Sequence, residues 1–130
     1  MIRIFTSPQQ QKGEHAENLA SEKLKEIGHE LFTRNDATPF GEIDIVTRKN
    51  GYLYFWEVKS YTRNTEDKDF ERISQRKLRK ILQSVNHLLA TAAYSHVSHE
   101  NIRVCALYVR FLSKYDANRY TCTILEDINI

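Results

Sequence analysis

Residues 41–60 read GEIDIVTRKNGYLYFWEVKS, two stretches rich in β-branched and aromatic residues on either side of Asn50-Gly51. Asn-Gly is the preferred two-residue loop of a type I′ hairpin, because both positions need positive φ. With that loop Lys49 faces Tyr52, and continuing the ladder outward sets Asp44 against Glu57 and Glu42 against Lys59. Directly opposed side chains have Cβ atoms about 5 Å apart, where like charges destabilise a sheet. A hairpin that only had to fold would avoid two facing carboxylates. Such a pair, with a lysine two residues beyond one of them, suits a divalent cation held beside a phosphate.

Alternation along the two arms puts Ile43, Ile45, Trp56 and Val58 on one face and Glu42, Asp44, Glu57 and Lys59 on the other. Val46, Leu53 and Phe55 share the second face nearer the turn, so a helix is expected to cover part of it and leave the acids at a cleft edge. The plainer alternative is a salt-bridged outer face, with Glu42 paired to Lys59 and Asp44 to an arginine.

Before the hairpin, Ser7-Pro8-Gln9-Gln10 carries an N-cap serine and a proline at the first helical position. Ala16, Leu19, Ala20, Leu24 and Ile27 then recur at helical spacing, and Gly28 supplies the stop. His29 to Asn35 reads as a short strand, broken at Asp36-Ala-Thr-Pro39 because the residue before proline resists α geometry. After the hairpin, Thr62 to Phe70 is polar and charged. From about Phe70, Leu78, Ile81, Leu82, Val85, Leu88, Leu89 and Ala92 define a long amphipathic helix ending near Tyr94. Ile102 to Phe111 is apolar enough for a central strand, and Tyr120 to Leu125 forms the last. The order α-β-β-β-α-β-β specifies an α/β fold with a mixed sheet of about five strands flanked by helices.

With 130 residues, 41% of them hydrophobic, and no low-complexity stretch or repeat, residues 1–130 are expected to form a single domain. A net charge of +2 does not by itself announce a nucleic-acid binder. Its distribution says more: Arg72, Arg76, Lys77, Arg79 and Lys80 cluster at the start of the second helix, where Arg72, Arg76 and Lys80 share a face able to track a phosphate backbone. Cys105 and Cys122 lie in apolar runs without a CxxC spacing, as buried free thiols do. His96-x-x-His99 falls in a loop with no partner acids and reads as surface. No segment approaches the roughly 20 apolar residues of a membrane span, and the start lacks a signal-peptide core, so no membrane association and a cytoplasmic location are expected.

Gly13-x-x-Ala16-Glu17-x-x-Ala20, Asn35, GEIDIV at 41–46, Phe55-Trp-Glu-Val-Lys59 and Ile73-x-x-x-Lys77 together resemble the YraN-like family of uncharacterised bacterial proteins. That family is assigned to the restriction-endonuclease-like superfamily of PD-(D/E)XK nucleases. The resemblance runs from about residue 13 to the C-terminus and implies a restriction-endonuclease-like three-layer core. It also implies a metal-dependent nuclease acting on DNA. Asp44, Glu57 and Lys59 match the superfamily's catalytic core, Glu17 its acid on the first helix, and Lys77 a basic position on the following helix. Asp44 and Glu57 would then hold Mg²⁺ or Mn²⁺, Lys59 would orient the attacking water, and Glu42 would support Lys59 by charge pairing. Where relatives carry an arginine two residues after the asparagine this chain has Ala37, with Arg34 and Arg63 as the nearby substitutes.

No base-reading motif is evident, so selectivity for branched, nicked or single-stranded DNA is the expectation. Cutting both strands would call for a homodimer, for which the sequence gives no separate signal. The competing function is a non-catalytic DNA- or protein-binding module on the same scaffold. A metal-free glycosidase built on the paired acids fits less well, since no aromatic sugar platform accompanies them.

Overall fold

Asn50 and Gly51 both adopt positive φ, at 52° and 80°, so the expected type I′ turn forms and sets the sheet around it. The computed structural model describes residues 8–62, 73–126 and 128. Its elements are helix α1 (Pro8–Glu26), strands β1 (Glu30–Thr38), β2 (Gly41–Lys49) and β3 (Tyr52–Thr62), helix α2 (Gln75–Leu89), and strands β4 (Ile102–Phe111) and β5 (Tyr120–Leu125). Two short 3₁₀ turns, Ala92–Tyr94 and His99–Asn101, join α2 to β4. The strands form one sheet in the order β1-β2-β3-β4-β5, antiparallel except where β3 runs parallel to β4. This is the mixed five-stranded α/β arrangement flanked by helices that the sequence specifies.

The helices cover opposite faces. Ala16, Ala20 and Leu24 of α1 pack on Ile45, Trp56, Cys105, Leu107, Val109 and Phe111. Alanine on this stripe lets the helix axis approach the strands closely. On the other face Ile81, Val85 and Leu88 of α2 meet Ile43, Val46, Leu53, Phe55 and Tyr94. α1 ends where Gly28 takes φ 99°, with the His29 amide donating to Leu24 O at 2.9 Å and the Gly28 amide to Lys25 O at 3.1 Å, as in a Schellman stop. The Lys49 ammonium donates to Ile27 O at 2.6 Å and closes the helix end onto the hairpin. Under α1, Trp56 Nε1 donates to Thr47 Oγ1 at 2.8 Å, and the same hydroxyl lies 2.8 Å from His29 Nδ1.

Three boundaries differ from the sequence reading. β1 does not stop at Asn35 but continues to Thr38, because Pro39-Phe40 forms a two-residue turn and Thr38 pairs with Gly41. The Thr38 hydroxyl donates to Gly41 O at 2.7 Å and accepts from the Phe40 amide, satisfying the turn that proline leaves one donor short. α2 begins at Gln75 and ends at Leu89, capped at its start by Ser74. Tyr94, at a helical spacing in the sequence, lies instead in a 3₁₀ turn that carries its hydroxyl to Asp36 Oδ2 at 2.7 Å. The Ser7 cap, Arg63 and most of the polar connection after Thr62 lie outside the described residues.

Candidate metal and phosphate site at a fork in the sheet

The β2–β3 ladder runs from Lys49–Tyr52 to Ile45–Trp56 and ends there. Beyond it β2 stays with β1, while β3 continues beside β4 from Leu53–Ile102 through Thr62–Phe111. The expected cross-strand pairs Asp44–Glu57 and Glu42–Lys59 are therefore not made, and Glu42 pairs in register with Ala37. β2 also turns over as it leaves. Ile43 joins the cluster under α2 and Ile45 the cluster under α1, so the two isoleucines do not share a face as simple alternation predicts.

Asp44 sits at this fork. Its Oδ2 accepts the Val58 amide at 2.8 Å, bridging the gap where ladder hydrogen bonds have stopped. Asp44 and Glu57 still come within hydrogen-bonding reach of one another. They meet through the opening of the strands rather than across a ladder rung. Glu57 is only 7% exposed.

Burial raises both acids, and the Glu57 charge raises Asp44 further. Burial acts first on Asp44, then the Glu57 charge, and together they push its pKa up to about 8 against the pull of the Val58 amide. Glu57 is also raised by burial, opposed by the Lys77 and Lys59 charges. The Lys77 and Lys59 ammonium groups favour the ionised form of Glu57, whereas burial and the Glu57 charge favour the protonated form of Asp44. Lys77 Nζ stands 3.4 Å from Glu57 Oε1 and is half exposed. It occupies the first turn of α2, where its own amide donates to Ser74 Oγ at 3.1 Å. The first turn of α2, with no acidic side chain to offset its positive end, thus supplies the cation that meets Glu57.

Lys59 follows Glu57 on the same face of β3, in register with buried Tyr108 of β4. Tyr108, a member of this neighbourhood that the sequence reading missed, is raised in pKa by burial and then by the Glu57 charge. Its position in an unbroken apolar run offered no signal. Glu17 adds its negative field to Asp44 from α1, on the other side of the sheet. Arg76 and Lys80 are exposed on α2. Arg72 lies outside the described residues. Arg34 turns to α1, donating to Asn18 Oδ1 at 2.8 Å and lying 3.7 Å from Glu14.

Two hard carboxylate oxygen donors, with Lys77 beside Glu57 and the Lys59 charge felt there, are chemically suited to Mg²⁺ or Mn²⁺ and to a phosphate. Among the described residues no group of three or more His, Cys, Asp and Glu side chains forms a complete cage, and Glu17 is felt at Asp44 through its charge. A separate cleft of about 420 Å³ opens at the hairpin end of the sheet, lined by Arg48, Lys49, Tyr52, His96 and Asn101 among others, and does not include the acids. No described helix is long and apolar enough to cross a membrane.

A mixed sheet between two helices, with paired acids where its antiparallel and parallel halves part, defines a domain of the restriction-endonuclease-like class. The chain belongs to the uncharacterised protein family UPF0102, whose model matches residues 16–114. It is similar to the UPF0102 protein of Helicobacter pylori strain HPAG1, 36% identical over 92 residues that cover 68% of this chain and 75% of the relative. A UPF0102 protein of Campylobacter fetus is 38% identical over 74 residues, 57% of this chain and 64% of that one. One of Wolinella succinogenes is 37% identical over 78 residues, 60% and 69% of the two chains. The chain thus spans just under two thirds of the Campylobacter relative's length.

Proposed function

We propose that this domain is a metal-dependent nuclease that hydrolyses DNA phosphodiester bonds, with selectivity for branched, nicked or single-stranded forms. The observation that carries the reading is the largely buried Asp44–Glu57 pair, in which burial raises both acids and the Glu57 charge raises Asp44 further, an opposition that a divalent cation would relieve. Asp44 and Glu57 would hold Mg²⁺ or Mn²⁺, and the bound ion would supply an acidified water and charge neutralisation at the phosphate. Lys59 orients the attacking water and balances charge as it builds on the phosphoryl oxygens. Glu17 assists from α1 through an intervening water. Lys77, Arg76 and Lys80 hold the backbone of the substrate, and Glu42 supports from the β1 side of the fork.

The test is a Mg²⁺ and Mn²⁺ titration against branched, flapped, single-stranded and duplex DNAs, beside Lys59→Ala. Cleavage that requires the metal and falls at least about 100-fold in the variant is the expected result. Cleavage of none of them, with no heat of ion binding, would end the nuclease reading.

A second reading rests on the Lys77–Glu57 contact of 3.4 Å, since an ammonium already offsets the charge of the acids without a metal. A DNA-binding module would use the same basic helix face. Its mark would be duplex binding indifferent to EDTA and to Asp44→Ala.

A further inference from the structure

Asn35 is in the left-handed region, with φ 56°, inside a strand. The pairs Arg34–Ile45 and Asp36–Ile43 flank it and put it across from Asp44. Normally residues two apart in a strand point to the same face. Here Arg34 reaches α1, at Asn18, whereas Asp36 reaches Tyr94 on the α2 side. On β2 the flanking residues divide in the same way, Ile43 to the α2 cluster and Ile45 to the α1 cluster. Both strands therefore turn over at one rung, and that rung is Asn35 with Asp44.

β1 is an edge strand, and an edge commonly carries a bulge that twists it away from further pairing. That accounts for the backbone of Asn35 but not for its amide. Its Oδ1 is buried and has no hydrogen-bond partner among the described residues. A buried acceptor left unmatched indicates a missing donor, water or cation. Amide carbonyls are ordinary ligands for hard divalent ions.

We propose that the side-chain carbonyl of Asn35 is a third oxygen donor, direct or through one water, for the cation that Asp44 and Glu57 hold. This rests on the metal-dependent reading of the site. It supplies a neutral ligand where two acids alone do not complete a coordination shell. It also gives a chemical role to asparagine at a backbone position where glycine would be easier.

The test is titration of the whole domain with MnCl₂ by calorimetry, with free Mn²⁺ followed by electron paramagnetic resonance, for wild type, Asn35→Gly and Asn35→Asp. Glycine keeps the left-handed backbone and removes the oxygen, so Asn35→Gly should melt no lower than wild type without metal and bind Mn²⁺ at least about tenfold more weakly. Asn35→Asp restores an oxygen, adds charge and should bind more tightly than wild type. Binding by Asn35→Gly within twofold of wild type overturns the assignment while leaving the paired-acid site intact. If Asn35→Gly melts lower, Asn35→Asp decides: tighter binding carries the assignment, and equal or weaker binding overturns it. A folded wild type that takes up no Mn²⁺ ends both this assignment and the metal-dependent reading.

Discussion

Asp44 has a conflict that the rest of the fold tolerates. Its carboxyl ionises near 3.8 in an unstructured chain but at about 8 in the folded domain, because burial and the Glu57 charge both oppose the anion. Between those two values the folded state holds a proton that the unfolded chain has released. The stabilising contribution is therefore complete below the unfolded pKa and drains away as pH rises through the folded one. Asparagine at this position can still accept the Val58 amide and has nothing to ionise. In metal-free buffer Asp44→Asn should match wild type near pH 4 and exceed it at pH 9 by several kcal/mol, read as a higher Tm. Calorimetric melts at half-unit pH steps measure this. A Tm difference that stays level across the range would mean that burial and the Glu57 charge do not raise Asp44 as described.

At the level of elements, the site depends on how closely α1 can lie on the sheet. Ala16 and Ala20 are 1% and 0% exposed, and leucine in place of Ala20 has no room beside Ile45 and Trp56. Ala20→Leu should cost about 1–3 kcal/mol by overpacking, read as a lower urea midpoint with an unchanged m-value. The alanine stripe was legible in the sequence, as were the α2 stripe, the Asn50-Gly51 turn and the apolar β4, because each is written in local spacing. What escaped depends on partners far along the chain. Extending the hairpin register through Asp44 assumed that β3 stays with β2, but β3 has a second option in β4, and the two strands part at the acids. Pro39 looked like a break for the whole segment from Asp36, yet it needed only the turn. Tyr94 continued the helical spacing of α2, and its bond to Asp36 explains why it left the helix. The acids were found by right proximity and wrong geometry: an opening of strands brings them together, and not a ladder rung.

Across the whole molecule, a net charge of +2 hides a marked separation. The start of α2 presents Arg76, Lys77, Arg79 and Lys80, all exposed, beside a largely buried acidic pair. Paired acids repel a phosphate backbone, so an anionic polymer can approach only if the surrounding cations outweigh them. Neutralising the acids with a cation would remove the opposition, and Lys77 already offsets part of it at Glu57. Association should then depend on salt through the outer cations, not through the buried pair. For duplex DNA each lost phosphate contact lowers the slope of log K against log salt by about 0.9. The double variant Arg76→Ala, Lys80→Ala should reduce that slope by roughly 1.8 between 50 and 200 mM NaCl in fluorescence anisotropy, with thermal stability within about 0.5 kcal/mol of wild type. Asp44→Asn should leave the slope unchanged, since it alters no outward cation. If the double variant keeps the wild-type slope, DNA does not run along this face of α2, and the path to the acids must be sought elsewhere on the surface.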